Sequence, residues 1–176
     1  MWTLIGVLAI LAVVCWIVST SNKLRKLSRE VDETTAEVYR LLRERWDLIS
    51  DLVETVRGYA PDKTALYTRA MTAVLVARTA GGVLDVPERE VQAVLVQLFA
   101  TGRSFPQARE NEHFARLQVL FGERWTAVER AQRAHSNAVR SCNAAVDSWP
   151  ASIVARRMGL RRVCPILGDL ATARNP

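Results

Sequence analysis

A chain of 176 residues has room for one compact domain plus one membrane segment, and hardly for two independent cores. With 8 Gly, 6 Pro, 7% aromatic and 24% charged residues, long breaker-free stretches are available and an all-helical chain is favoured. Residues 23–59 hold eight basic and eight acidic groups, residues 60–149 eleven and nine, and residues 150–176 five and one, so most of the +6 net charge is a tail property.

Residues 1–22, MWTLIGVLAILAVVCWIVSTSN, carry no charged side chain. The apolar part, Met1 to Val18, lengthens to about 20 residues with Ser19 and Thr20, enough at about 1.5 Å per residue to span a hydrocarbon core of about 30 Å. A cleaved signal peptide needs a basic start and small residues at a cleavage site, and both are missing, so an uncleaved transmembrane anchor over 1–20 is expected. A lipidated cysteine at Cys15 is disfavoured by Val14 before it and by the lack of a basic lead. Lys23, Arg25, Lys26 and Arg29 follow the span directly. That asymmetry places the N-terminus outside the cell membrane and the C-terminal part in the cytoplasm. Cys15, Cys142 and Cys164 are an odd set without disulfide spacing, which agrees with that compartment.

Beyond the anchor, Leu24, Leu27, Val31, Thr34, Val38, Leu41, Arg45, Leu48, Leu52, Thr55 and Tyr59 follow a 3/4 spacing, widened by Leu42, Ile49 and Val56. This is the core-facing stripe of one long helix continuous with the anchor, stopped near Gly58 and Pro61. A second helix is predicted from about Asp62 to Ala80, broken at Gly81-Gly82. A third starts near Val86-Pro87-Glu88-Arg89-Glu90, where a first-turn proline and acids mark a beginning, and ends between Gly102 and Pro106. The longest run, about Gln107 to Ser148, carries a stripe of Phe114, Gln118, Phe121, Trp125, Val128, Gln132, His135, Val139, Cys142, Val146 and Trp149, and Pro150 ends it. Two long and two short helices sum to an antiparallel four-helix bundle over 21–150, followed by a basic tail over 151–176.

LLRERWDLISDLVETVRGYA, SFPQARENEHFARLQ and RAQRAHSNAVRSCNAAVDSWP, in that order after a membrane segment, resemble the LemA family over about residues 20–163. Arg43, Arg45, Asp47, Leu48, Ile49, Leu52 and Val53 match its first motif, with Ser50 and Asp51 in place of a Pro-Asn pair; losing that proline removes a kink point. Phe105, Pro106, Asn111, Phe114, Leu117 and Gln118 match the second. In the third, Asn137, Asn143 and Pro150 are kept, while Ser136 and Cys142 replace tyrosines and Trp149 a phenylalanine. The resemblance implies a membrane-anchored bundle of bromodomain-like topology without established enzymatic activity. Some relatives shape bacterial organelle membranes, as in magnetosome formation, and others resemble lipoproteins whose domain lies outside the cytoplasm.

Candidate chemistry is sparse. Glu110-Asn111-Glu112-His113 contains the Glu-x-x-His step of di-iron bundles, but such a site needs a second pair and two further carboxylates. The other histidine, His135, has Gln132 three residues before it, so no metal and no other cofactor is expected, and Glu110 to His113 reads as a solvated first turn. No phosphate loop or nucleophile motif is present. Arg45, Gln118, Gln132 and His135 fall on the stripes. They are expected at a bundle margin, Arg45 with its guanidinium reaching outward, in preference to a buried polar layer that sets helix register.

In the tail, Arg156, Arg157, Arg161 and Arg162 alternate with apolar residues. Four basic groups near an anionic membrane surface favour contact with membrane lipid over nucleic acid, each worth about 1 kcal/mol there; a solvated, frayed tail is the competing reading, and Gly159 argues against a sturdy helix. The leading functional reading is a non-catalytic membrane-tethered scaffold or adaptor that organises membrane or recruits partner proteins, with self-association into a homo-oligomer as one form of it. Its alternative is an accessory or regulatory subunit of a membrane-bound protease or phosphatase system.

Overall fold

The computed structural model describes residues 2–80 and 85–163, without the side chains at 2–4, 9 and 85. Six helices follow in order: α1 Trp2–Arg57, α2 Thr64–Thr79, α3 Asp85–Arg103, α4 Pro106–Glu110, α5 Glu112–Asp147 and α6 Ala151–Arg157. Among the described residues there is no strand. The absence of Gly and Pro between Val7 and Arg57 leaves nothing to interrupt α1, and Ser50-Asp51 continue it without a kink. The predicted break at Gly81-Gly82 and Cys164 lie outside the described residues.

Two compact units emerge, one of residues 37–132 and one of residues 2–36 with 133–163. In the first, α1, α2, α3 and α5 contribute to one core in which Trp46, Leu42, Ile49, Leu52, Tyr67, Leu98 and Phe114 are buried. Each fully buried large apolar side chain contributes about 1.5–3 kcal/mol before ordering costs. Phe99 stands edge-on to Phe121 at 5.3 Å and tilted to Phe114 at 6.0 Å, the arrangement ring quadrupoles favour. Ala70, Ala73 and Ala77 are the buried small residues of α2, whose stripe is weak in sequence because alanine carries little apolar signal. The stripe on α1 is set slightly differently from expectation: Leu48 is only half-buried, whereas Trp46 and Val53 are buried.

Gly102, in the last turn of α3, is required by packing. A Cβ there would stand 2.5 Å from Cζ and 2.6 Å from Cε2 of Phe114.

The other unit is built on two small apolar clusters. Val31 packs with Ala138, Val139 and Cys142, and Leu24 packs with Val154 and Ala155 of α6. Gly159 adopts φ +71, a left-handed value open to glycine. Leu160 N–H then reaches Ala155 O at 3.0 Å and Gly159 N–H reaches Arg156 O at 3.1 Å, closing α6 with a Schellman motif whose Leu160 joins the Leu24 cluster. Residues 151–160 are therefore not a frayed tail. The glycine that argued against a helix is the residue that ends one.

The long run expected from Gln107 is broken at Asn111, extended at φ −76 and ψ 118. Its side-chain Oδ1 accepts from Phe114 N–H at 3.0 Å, the N-cap bond of α5. Phe105 is likewise extended ahead of Pro106 at the first position of α4.

Candidate functional site

The first feature is the exposed apolar surface of α1. Ile5, Leu8, Ile10, Leu11, Val14 and Ile17 stand exposed on successive faces, as a helix surrounded by hydrocarbon requires. Among the described residues α1 is the one helix long and apolar enough to cross a membrane. Lys23, Arg25, Lys26 and Arg29, further along the same helix, are exposed just after the apolar run.

The second feature is a buried ion pair. Arg45 is not at a margin: its side chain is 3% exposed and its guanidinium meets the Glu88 carboxylate, 2% exposed, at the start of α3. Trp46 Nε1 donates to Glu88 Oε2 at 3.3 Å, and the guanidinium carbon lies 5.5 Å from the centre of the Trp125 ring. Trp125, expected in the core, is exposed on its far side and acts as a cover over the cation. Burial lowers the Arg45 pKa to about 10, which still leaves the guanidinium protonated at neutral pH. Arg45 Nε has no hydrogen-bond partner among the described residues. The expectation of outward reach fails because Arg45 lies between the buried Leu42 and Ile49, with Glu88 and the Trp125 ring against its guanidinium. Glu88 reads in sequence as a helix-start acid. The signal for its true role is the charge on the α1 stripe that needs a partner.

His135 is the second polar group that the structure buries, at 3% exposure. Thr34 Oγ1 lies 2.8 Å from Glu30 O, 3.0 Å from Val31 O and 3.3 Å from His135 Nδ1, and Thr35 Oγ1 lies 3.5 Å from the same ring nitrogen. Nε2 has no partner among the described residues, and burial pushes the imidazole pKa down from its ordinary value. Here too the margin expectation fails. Gln118 and Gln132 are half-buried.

Several residues carrying the family resemblance have structural work. Asn111 caps α5 and its Nδ2 donates to Tyr59 Oη at 2.7 Å. Asn143 grips the backbone of Val163 from both sides, Oδ1 accepting from N–H and Nδ2 donating to O, each at 2.9 Å. Ile49, Leu52, Val53 and Phe114 are core, Phe105 is half-buried, Pro106 starts α4, and Pro150 precedes α6. Arg43, Asp47 and Asn137 are exposed, with Asp47 paired to Arg78.

Glu110 and His113 do not share a helix, since Glu110 ends α4 and His113 belongs to α5; both are exposed. Among the described residues no three His, Cys, Asp or Glu side chains gather as a metal site would need. A mostly apolar groove of about 550 Å³ runs between α2 and α3, lined by Ala65, Thr68, Thr72, Val76 and Pro87, with the Arg69–Glu90 pair at 2.7 Å beside it. Of the four candidate lipid-contact arginines, Arg156, Arg157 and Arg161 are exposed, whereas Arg162 binds both carboxylate oxygens of Asp147, at 3.1 and 2.7 Å.

These features define an all-helical protein with one N-terminal helix suited to a bilayer and polar groups used for packing. The LemA family model matches residues 34–165, and the chain belongs to the LemA family. No curated protein matches it.

Proposed function

We propose that this LemA-family chain is a non-catalytic scaffold or adaptor, anchored in the cell membrane by the first 20 residues, with residues 21–150 as an antiparallel four-helix bundle of bromodomain-like topology on the cytoplasmic side. The observation that carries the reading is the continuity of α1 from Trp2 to Arg57. One helix supplies both a lipid-facing apolar surface and the buried residues Leu42, Ile49 and Leu52, so whatever binds the helical part is tied to a membrane. The basic residues after the span support the cytoplasmic orientation. The buried Arg45–Glu88 pair supports a register-setting role for polar groups instead of a chemical one. Purification of the full chain in mild detergent tests it. Self-association with retained lipid supports the scaffold, and a stoichiometric protease or phosphatase partner replaces it with the accessory-subunit reading.

A further inference from the structure

Leu24, buried beneath Val154 and Ala155, lies four residues beyond Thr20, where the apolar run ends. Four residues are about 6 Å of helix, and a bilayer of about 40–45 Å around a core of about 30 Å has headgroup layers about 5–7 Å thick. The contact therefore holds α6 at headgroup level if α1 crosses the bilayer. Val154 and Ala155 occupy the face of α6 turned to Leu24. What remains outward is unusual for a water-facing surface: Trp149 is 83% exposed and Ile153 59% exposed, with Arg156 and Arg157 exposed beside them and Arg161 just after. Trp at this level is the side chain most at home in an interface, and the arginines match the charge of anionic headgroups. The segment is also tied down. The Asn143 grip on Val163 and the Arg162–Asp147 pair fasten the chain after α6 to α5.

We propose that Trp149 and Ile153 insert into the interfacial layer of the bilayer that α1 crosses, with Arg156, Arg157 and Arg161 on anionic phospholipid headgroups. α6 is thus a second membrane attachment beside the span. The proposal rests on the reading of α1 as a membrane anchor. A second contact fixes the rotation of α1 about its own axis, which a lone span leaves free.

The test uses the full-length chain with Cys15, Cys142 and Cys164 changed to serine and far-UV circular dichroism confirming helix content. Single cysteines go, in separate proteins, at Ile153, at Trp149, at Val14 in the span and at Ala134, exposed on α5 beside the His135 that faces Thr34. Each carries an environment-sensitive fluorophore and is reconstituted into equimolar phosphatidylcholine and phosphatidylglycerol containing nitroxide-labelled lipid. Labels at 149 and 153 should be quenched about threefold more than the label at 134, as interfacial residues are. Changing Arg156, Arg157 and Arg161 to glutamine should reduce that quenching in the anionic vesicles and leave it unchanged in phosphatidylcholine alone. Quenching at 14 with none at 149 and 153 above the level at 134 overturns the α6 proposal and leaves the anchor standing. No quenching at 14 removes the anchor and the proposal with it. An anionic-vesicle signal indifferent to the arginine changes overturns their assignment to headgroups.

Discussion

The Arg45 guanidinium and the Glu88 carboxylate face each other with both side chains almost wholly out of solvent, joining the C-terminal part of α1 to the start of α3. Each charge depends on the other, since burying either alone is far costlier than burying both. Glu88→Gln should therefore destabilise the full chain by about 3–5 kcal/mol. Replacing both, Arg45→Met with Glu88→Leu, should recover most of that loss, short of the parent by the cost of leaving the buried Trp46 N–H without its acceptor. Denaturant unfolding in detergent measures this, with Glu90→Gln at the exposed Arg69 pair as the reference, expected to cost below about 1 kcal/mol. Equal losses for Glu88→Gln and Glu90→Gln would refute the buried pair.

His135 makes stability depend on acidity. Its folded pKa is depressed by burial, so below about 6.5 the unfolded chain takes up a proton that the folded chain resists. Stability attached to this group is complete above that pH and lost as pH falls toward the lower folded pKa. His135→Asn, which keeps a polar group near the Nδ1 position but does not titrate, should flatten the dependence between pH 6.5 and 5. Melting temperatures of the two proteins across that range decide it, and parallel curves would place the dependence elsewhere.

Gly102→Ala should cost about 1–3 kcal/mol, typical of forcing a methyl into a packed core, because the Phe114 ring already fills the space. Adding Phe114→Leu should recover part of the loss. Thermal unfolding of the single and double variants is the measurement, and a neutral Gly102→Ala contradicts the packing described here.

Asn111 serves two partners through two atoms, which allows them to be separated. Asn111→Ala should lose about 1–2 kcal/mol, the usual cost of an N-cap plus a further side-chain bond. Asn111→Asp keeps the acceptor for Phe114 N–H and loses only the donation to Tyr59, so it should fall between alanine and the parent. An aspartate as damaging as alanine would mean that the Tyr59 bond, not the cap, dominates.

For orientation, the charge asymmetry around the span leads to a simple expectation. With the three native cysteines changed to serine and Asp62→Cys in the exposed turn after α1, a membrane-impermeant thiol reagent should label the protein only after the cells are lysed. Labelling of intact cells would place the bundle on the outer side.

What could be read without coordinates is what the backbone repeats every turn. The apolar run of residues 1–18, the spacing from Leu24 to Leu52, the proline at Pro87 and the motif residues around Arg43, Asn111 and Asn143 make an all-helical LemA-family chain legible, because periodicity and punctuation are local properties. Gly159 counted in the sequence against a helix, because the helix that it ends, Ala151–Arg157, is too short to show a period. Tertiary structure alone decided what the polar stripe residues do. A spacing says which face Arg45 and His135 lie on and cannot say how much of the molecule covers that face. Their burial depends on Glu88 from another helix and on Thr34 a hundred residues away in the chain, and only closing those long loops brings such partners within reach. The same holds for Leu24, whose apolar side chain needed α6, from the far end of the sequence, before it had anything to pack against.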